Sequence, residues 1–265
     1  MLSLDIVALG VPDVQAARTF YAAALSPTVA DHGDYVGLDL HGTGELGLLA
    51  NEVLAADAGT TPTTSGFRGY LMNVIVRQPN DVEAVMGAAI KSGATVVKPA
   101  KKRLFGEYAA LFEAPDGSLW KVSAESGKNS APAGDPIASR EALIILGVTS
   151  PKKSKAFYEA LGMTVDRDYG DQYLDFRYAA GTFRLGLMTR KNLAKEANAS
   201  VAGAGFHGAV FNRRAESRQE VDEILAAAAS AGGMIPRPAS EDRWSGYAGH
   251  FADPDGFLWK VAGVG

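Results

Sequence analysis

Leu4 to Val11 is an almost unbroken apolar run, and the period changes directly after it. Val14, Ala17, Phe20, Tyr21 and Ala24 recur at helical spacing behind Asp13. The change predicts a strand followed by an amphipathic helix, with the Asp13 carboxylate taking the first amide protons and Pro27 closing the segment. Three short strand candidates follow, Pro27–Ala30, Tyr35–Leu40 and Glu45–Leu49, separated by Gly-rich turns. The order is β-α-β-β-β. Residues 51–65, rich in Ala and Thr, are expected to be a connector, with room for one helical turn.

The pattern then restarts. Tyr70–Val76 reads as a strand, and Asn80 with Glu83 resembles a capping box opening a helix to Ile90, with Gly93 just beyond its end. Strands follow near Thr95–Lys98, Tyr108–Phe112 and Leu119–Val122. After a small, polar, Pro- and Gly-punctuated stretch, 123–140, the whole programme repeats. Leu9-Gly10-Val11 returns as Leu146-Gly147-Val148, Phe20-Tyr21 as Phe157-Tyr158, and Gly66-Phe67-Arg68-Gly69 as Gly205-Phe206-His207-Gly208. Ser150 with Pro151, and Ser217 with Glu220, mark the two helix starts of the second half. The longest echo is Phe112-Glu-Ala-Pro-Asp-Gly-Ser-Leu-Trp-Lys-Val122, rewritten 139 positions later as Phe251-Ala-Asp-Pro-Asp-Gly-Phe-Leu-Trp-Lys-Val261. Each copy reads as strand, turn, strand, with Pro-Asp-Gly making the turn. The expected fold is α+β: four βαβββ modules, two in a domain at 1–124, a linker at 125–140, and two in a domain at 141–265.

Composition narrows the function classes. The chain of 265 residues is 47% hydrophobic and 21% charged, ordinary for a soluble globular protein. A net charge of −4 argues against nucleic acid or an anionic membrane as partner. With no cysteine there is no thiolate ligand or cysteine nucleophile. No apolar run reaches the length of a membrane span, and the first residues carry no basic leader pattern, so the expected location is cytoplasmic. No phosphate loop, dinucleotide fingerprint or nucleophile arrangement is visible.

A first strand, then Phe-Tyr in the helix (Phe20-Tyr21, Phe157-Tyr158), then Pro-Asp-Gly-x-Leu-Trp, resembles the vicinal oxygen chelate superfamily of glyoxalase I, bleomycin-resistance proteins and extradiol dioxygenases. The resemblance covers nearly the whole chain, and it implies two glyoxalase-like domains with curved mixed sheets. In family members that use a metal, it implies ligands on the first and last strands of each module. The matching positions here are Ile6 and Leu143, Gly69 and Gly208, and Lys121 and Lys260, with Glu45 the one candidate donor at the fourth. Apolar, glycine and cationic residues offer a divalent ion no lone pair, so neither metal nor cofactor is expected.

Lys121 and Lys260 stand out, each a charge inside an apolar strand. By strand alternation each shares a face with Leu119 or Leu258, opposite the tryptophan. Each lysine either holds an acidic or carbonyl-rich ligand or belongs to a structural ion pair. His207 and His250 are the only histidines of the second half and carry the near-neutral proton chemistry. Arg68 and Leu111 are their counterparts. Arg243-Trp244-Ser245-Gly246-Tyr247, matched by Leu104-Phe105-Gly106-Glu107-Tyr108, places aromatics at the entrance to a strand, where Trp244, Tyr247 and Tyr108 either rim a pocket or pack in the core. The candidate ligand-binding set is therefore Lys121, Lys260, His207, His250, Trp244, Tyr247, Tyr108 and Arg68. The expected function is metal-independent binding of an organic small molecule, such as an antibiotic or aromatic metabolite. The alternative is a lyase, isomerase or dioxygenase-type enzyme of the same superfamily. Either a pseudo-dimeric monomer or a homodimer suits the repeat.

Overall fold

A computed structural model of the chain describes residues 2–102, 106–242 and 245–263. The first module is β1 (Ile6–Val11), α1 (Val14–Leu25), β2 (Thr28–Asp31), β3 (Val36–Asp39) and β4 (Glu45–Ala50), followed by α2 (Asn51–Asp57) and β5 (Thr64–Gly66). The second is β6 (Tyr70–Val76), α3 (Pro79–Lys91), β7 (Thr95–Lys102), β8 (Tyr108–Glu113) and β9 (Leu119–Ala124). The third repeats the first: β10 (Glu141–Val148), α4 (Pro151–Ala160), β11 (Val165–Asp168), β12 (Leu174–Phe176), β13 (Arg184–Thr189), α5 (Arg190–Glu196) and β14 (Gly203–Gly205). The fourth is β15 (Ala209–Ala215), α6 (Arg218–Ser230), β16 (Met234–Asp242), β17 (Gly246–Ala252) and β18 (Leu258–Gly263).

The sheets do not follow the sequence halves. One eight-stranded sheet runs β16-β17-β18-β15-β1-β4-β3-β2 and joins the fourth module to the first. The other runs β11-β12-β13-β10-β6-β9-β8-β7 and joins the third to the second. The central seams are antiparallel, with Ile6 opposite Asn212 and Leu143 opposite Asn73. The flanking pairs β1–β4, β15–β18, β10–β13 and β6–β9 are parallel, which makes both sheets mixed. A two-stranded ribbon of β5 and β14 links the connectors of the two halves. Gly66 is required there: its φ is +66°, and a Cβ would fall 2.4 Å from the Ala202 carbonyl oxygen.

The two sheets meet through their helices. One core cluster gathers Phe20 and Tyr21 of α1, Val85 of α3, Phe157 of α4 and Leu225 of α6 with Trp120 and Trp259 from the two sheets. The repeated motifs are the joints. Trp120 donates its indole N–H to the Tyr21 hydroxyl at 3.2 Å, and Tyr21 donates to Asp116 at 2.7 Å. In the second half Trp259 donates to Tyr158 at 3.3 Å, and Tyr158 donates to Asp253 at 2.7 Å. The Phe-Tyr of one module and the Pro-Asp-Gly of the next thus satisfy each other's polar atoms inside an apolar core, where an unpaired one is costly. The opposite face of each sheet carries a smaller apolar cluster under a short helix. Ala8, Val210 and Leu258 pack with Leu54 and Ala55 of α2, and Leu71, Leu143 and Ile145 pack with Leu193 and Ala194 of α5.

Helix starts follow local chemistry, with two corrections. Asp13 caps α1, its carboxylate accepting from Gln15 and Ala16 at 2.9 Å, and Ser217 caps α6 by accepting from Glu220 at 3.1 Å. The Asn80–Glu83 capping box is absent, because Pro79 starts the helix two positions earlier than that box would and makes Gln78 the cap. The Gln78 side chain instead grips the linker, accepting from Ser130 and donating to Ala131. Ser150 is the cap residue of α4, but its side chain makes no cap bond. The connector holds the seven-residue α2, and its repeat α5 went unpredicted. Among the described residues no helix is long and apolar enough to cross a membrane.

Candidate functional site

Four residues in register cross the centre of each sheet on the face away from the large helices. In the first sheet they are Glu45, Ile6, Asn212 and Lys260. In the second they are Arg184, Leu143, Asn73 and Lys121. Over each row lies a cavity. The first, about 540 Å³, has an apolar floor of Ile6, Ala8, Leu49, Leu54 and Val210, with Asp57 and Lys260 at one side and Tyr35 and Arg214 at another. The second, about 960 Å³, is lined by Leu143, Ile145 and Met188 but also by Lys101, Lys102, Lys121, Glu107, Glu141 and Glu196.

Strand alternation puts the tryptophans under the helices and the lysines on the cavity side, and each lysine meets a carboxylate. The Lys260 ammonium lies 2.9 Å from Asp57 and 3.1 Å from Asp242, all three side chains less than a tenth exposed. His250, opposite Lys260 in the neighbouring strand, brings Nε2 to 3.3 Å from Asp57, and Arg237 donates to the other Asp57 oxygen at 3.0 Å. Burial alone would raise the Asp57 carboxyl, but His250 and Lys260 beside it outweigh burial and hold it below the ordinary range. Burial pushes the His250 imidazole down, so it stands neutral at pH 7. In the second sheet Lys121 lies 2.7 Å from Glu107 and 3.7 Å from Glu196, and Glu196 also faces Lys98 at 3.3 Å. Asp57 ends α2 and Glu196 ends α5, so the two sites share one plan.

The other candidate residues lie elsewhere. His250 is 1% exposed and stands behind Asp57, without a place in the cavity wall. His207 stacks on Phe257 at 4.3 Å and shares a short hydrogen bond between Nδ1 and the Arg68 carbonyl, at the junction of the halves. Arg68 itself donates to the Asp116 carbonyl at 2.6 Å. Tyr108 donates to Glu83 of α3 and Tyr247 to Asp222 of α6, which turns both toward the helices and away from the cavities. Trp244 lies outside the described residues. Of the eight, Lys121 and Lys260 line the cavities. Sequence reasoning missed Asp57, Glu196, Asp242, Tyr35 and Arg214. Asp57 and Glu196 carried a usable signal, an acid at the same place in both repeats.

Transition-metal chemistry needs three or more converging imidazole or carboxylate donors. The inward places on the central strands are filled by Ile6, Ala8, Gly47, Leu49, Val210 and Asn212 in one sheet and by Leu143, Ile145, Met188 and Asn73 in the other. Gly69 and Gly208 precede β6 and β15, where the inward residues are Leu71 and Val210. Glu45 is bound to Arg214 at 2.5 Å. Among the described residues no three His, Cys, Asp or Glu side chains gather in a metal-holding group.

No curated protein sequence matches the chain. Among solved structures, a putative dioxygenase from Bacillus subtilis subsp. subtilis str. 168 superposes with a TM-score of 0.63 at 15% identity, over 98% of this chain and 85% of that one. Glyoxalase I from Zea mays does so with a TM-score of 0.63 at 17% identity, over 98% of this chain and 92% of that one. At these identities the likeness is one of fold. Residues 3–122 and 142–261 each match the sequence model of one family, and the chain belongs to the Glyoxalase/Bleomycin resistance protein/Dioxygenase superfamily.

Proposed function

We propose that the protein is a metal-independent binder of an organic small molecule, in the manner of the bleomycin-resistance branch of its family. The observation that carries this is the cavity of about 540 Å³ over the first sheet. Its volume lies in the range of drug-sized ligand pockets, and its walls combine an apolar floor with few polar groups. Ile6, Ala8, Leu49 and Val210 favour a flat, largely apolar body. Lys260 is already neutralised by Asp57 and Asp242, and Arg214, 59% exposed on its side chain, is paired with Glu45, so these groups and Tyr35 offer a ligand hydrogen bonds more than net positive charge. A ligand with an aromatic body and a polar or acidic end suits these walls. The reading extends to a monomer in which the two halves take the place of two subunits, checked by light scattering.

The test has two arms. The purified protein, dialysed without chelator, is assayed for Zn, Ni, Fe and Mn; a stoichiometric metal would sink the metal-independent reading. Calorimetric titration with a panel of aromatic acids and antibiotics is then repeated on Leu49→Trp, which fills the cavity, and on Lys121→Met, which does not touch it. Binding that survives Leu49→Trp would place the ligand elsewhere. A second reading, an enzyme of lyase or isomerase type, is favoured by one observation, the contact of the Asp57–Lys260 pair with the same cavity. Turnover of a bound ligand that ceases in Asp57→Asn would support it over simple binding.

A further inference from the structure

The two cavities occupy equivalent places in the repeat but differ in chemistry, and the difference lies in which charges are already paired. In the cavity of the second sheet every acid on the wall has a partner. Glu107 meets Lys121 at 2.7 Å, Glu196 meets Lys98 at 3.3 Å, and Glu141 meets Arg184 at 2.8 Å. Two cations on the same wall, Lys101 and Lys102 of β7, have no carboxylate partner among the described residues. The matching places on β16, 139 positions on, are Ser240 and Glu241, so this excess of positive charge belongs to one cavity alone. Neutral donors agree. Asn73 is 5% exposed, lines the cavity and accepts from Ser123 at 3.1 Å, while its amide N–H₂ donates to no described residue. Its counterpart Asn212 spends that donor on the Val210 carbonyl, and the counterpart of Ser123 is Ala262, without a hydroxyl.

From this we infer a second binding site, over β6–β10, that takes a small organic dianion: a dicarboxylate or a phosphate monoester. Lys101, in register with Ala109 on the cavity face, and Lys102 next to it leave an excess of positive charge at the rim of the recess, and a ligand of two negative charges restores neutrality. A carboxylate or phosphate oxygen reaching the floor meets the free amide of Asn73, whose own position Ser123 fixes. Ammonium groups act as point charges and not as planar clamps, so the site accepts either anion geometry. The protein is then a carrier of two unlike ligands, one largely apolar and one anionic.

The experiment is calorimetric titration of the full chain at low ionic strength with malonate, with inorganic phosphate and with phenyl phosphate, in separate arms. Saturable binding of at least one is expected, weakened at least tenfold in Lys101→Ala/Lys102→Ala and unchanged in Leu49→Trp. Added salt is expected to weaken it further. The arm that binds most tightly distinguishes carboxylate from phosphate. Because Leu49→Trp occupies only the first cavity, failure of the apolar site leaves this result intact. Absence of saturable binding of all three, or binding indifferent to the double lysine substitution, overturns the inference. A variant keeping the wild-type circular dichroism and melting temperature shows that the lost binding is local. Asn73→Asp, which puts a carboxylate on the floor, is expected to weaken binding as well.

Discussion

Asp57 and Lys260 are 203 positions apart in the chain and 2.9 Å apart in space. Asp57 belongs to the first module and Lys260 to the fourth, so this ion pair spans the seam of the first sheet and pins α2 over its cavity. Glu196 and Lys121 repeat the relationship across the second sheet, at 3.7 Å and with Glu107 as the nearer partner. A lysine at this place in both repeats is thus first of all a counter-charge for a short helix.

The two pairs predict unequal costs. Lys260→Met removes the cation that the buried Asp57 and Asp242 share, although Arg237 still meets the other Asp57 oxygen, and breaking a buried pair in this way costs about 3–5 kcal/mol. Lys121→Met strands Glu107, whose side chain is 40% exposed, and water replaces the lost partner, so the cost falls to about 1 kcal/mol or less. Urea unfolding of both variants checks the ratio. The double variant Lys260→Met/Asp57→Asn is expected to recover part of the loss; strict additivity would mean that the two side chains do not interact.

Asp253 predicts a stability slope. Burial pushes its carboxyl up to about 6, although Tyr158 and two backbone amides bond it. Its folded-state pKa lies above the unfolded value of 3.8, so the folded protein holds the proton more tightly. Its contribution is fully present below pH 3.8 and is lost as pH rises through about 6. A shift of this size corresponds to a loss of roughly 3 kcal/mol across that window. Asp253→Asn, which keeps the shape and removes the charge, is expected to flatten this part of the curve in denaturant unfolding between pH 4 and 7.

Helix capping gives a smaller, local contrast. The Asp13 carboxylate takes two backbone amides at 2.9 Å, so Asp13→Ala is expected to cost about 1 kcal/mol. Ser150 stands at the same place in the repeat without a side-chain cap bond, and Ser150→Ala is expected to change stability by less than half that. Thermal melts of the two single variants measure the difference.

The four βαβββ modules and their order were legible because each strand run and helix stripe has its own period, and because the repeat writes the pattern twice; α5 and the β5–β14 ribbon lie in connectors without such a period and were not. Pairing of modules into sheets was not legible. Ile6 and Leu143 are equally apolar, and nothing in either strand says whether its antiparallel neighbour is Asn73 or Asn212. Half the site was legible for the same reason. Lys121 and Lys260 announced themselves as charges within apolar strands, whereas Asp57 and Glu196 lie in Ala-rich connectors where an acid looks like a solvated residue. Tyr108 and Tyr247 misled because an aromatic at a strand entrance fits a pocket rim and a helix contact equally well; their hydroxyls found Glu83 and Asp222 on the helices.

His250 predicts the opposite slope to Asp253, in a neighbouring pH window. Burial depresses its imidazole below the ordinary 6.5, and the Asp57 carboxylate at 3.3 Å opposes this only in part. Above pH 6.5 the folded and unfolded chains both hold a neutral ring. As pH falls below 6.5 the unfolded chain takes up a proton that the folded chain refuses, so stability is lost as pH drops toward the depressed folded value. His207, also lowered by burial, adds to the same loss. His250→Gln removes the titration and keeps a polar group near Asp57. Its stability relative to the parent is therefore expected to rise steadily from pH 7.5 to pH 5.5 in matched urea unfolding curves. A difference that stays constant across that range would mean that His250 titrates alike in both states, and that its burial against Asp57 costs the charged form nothing.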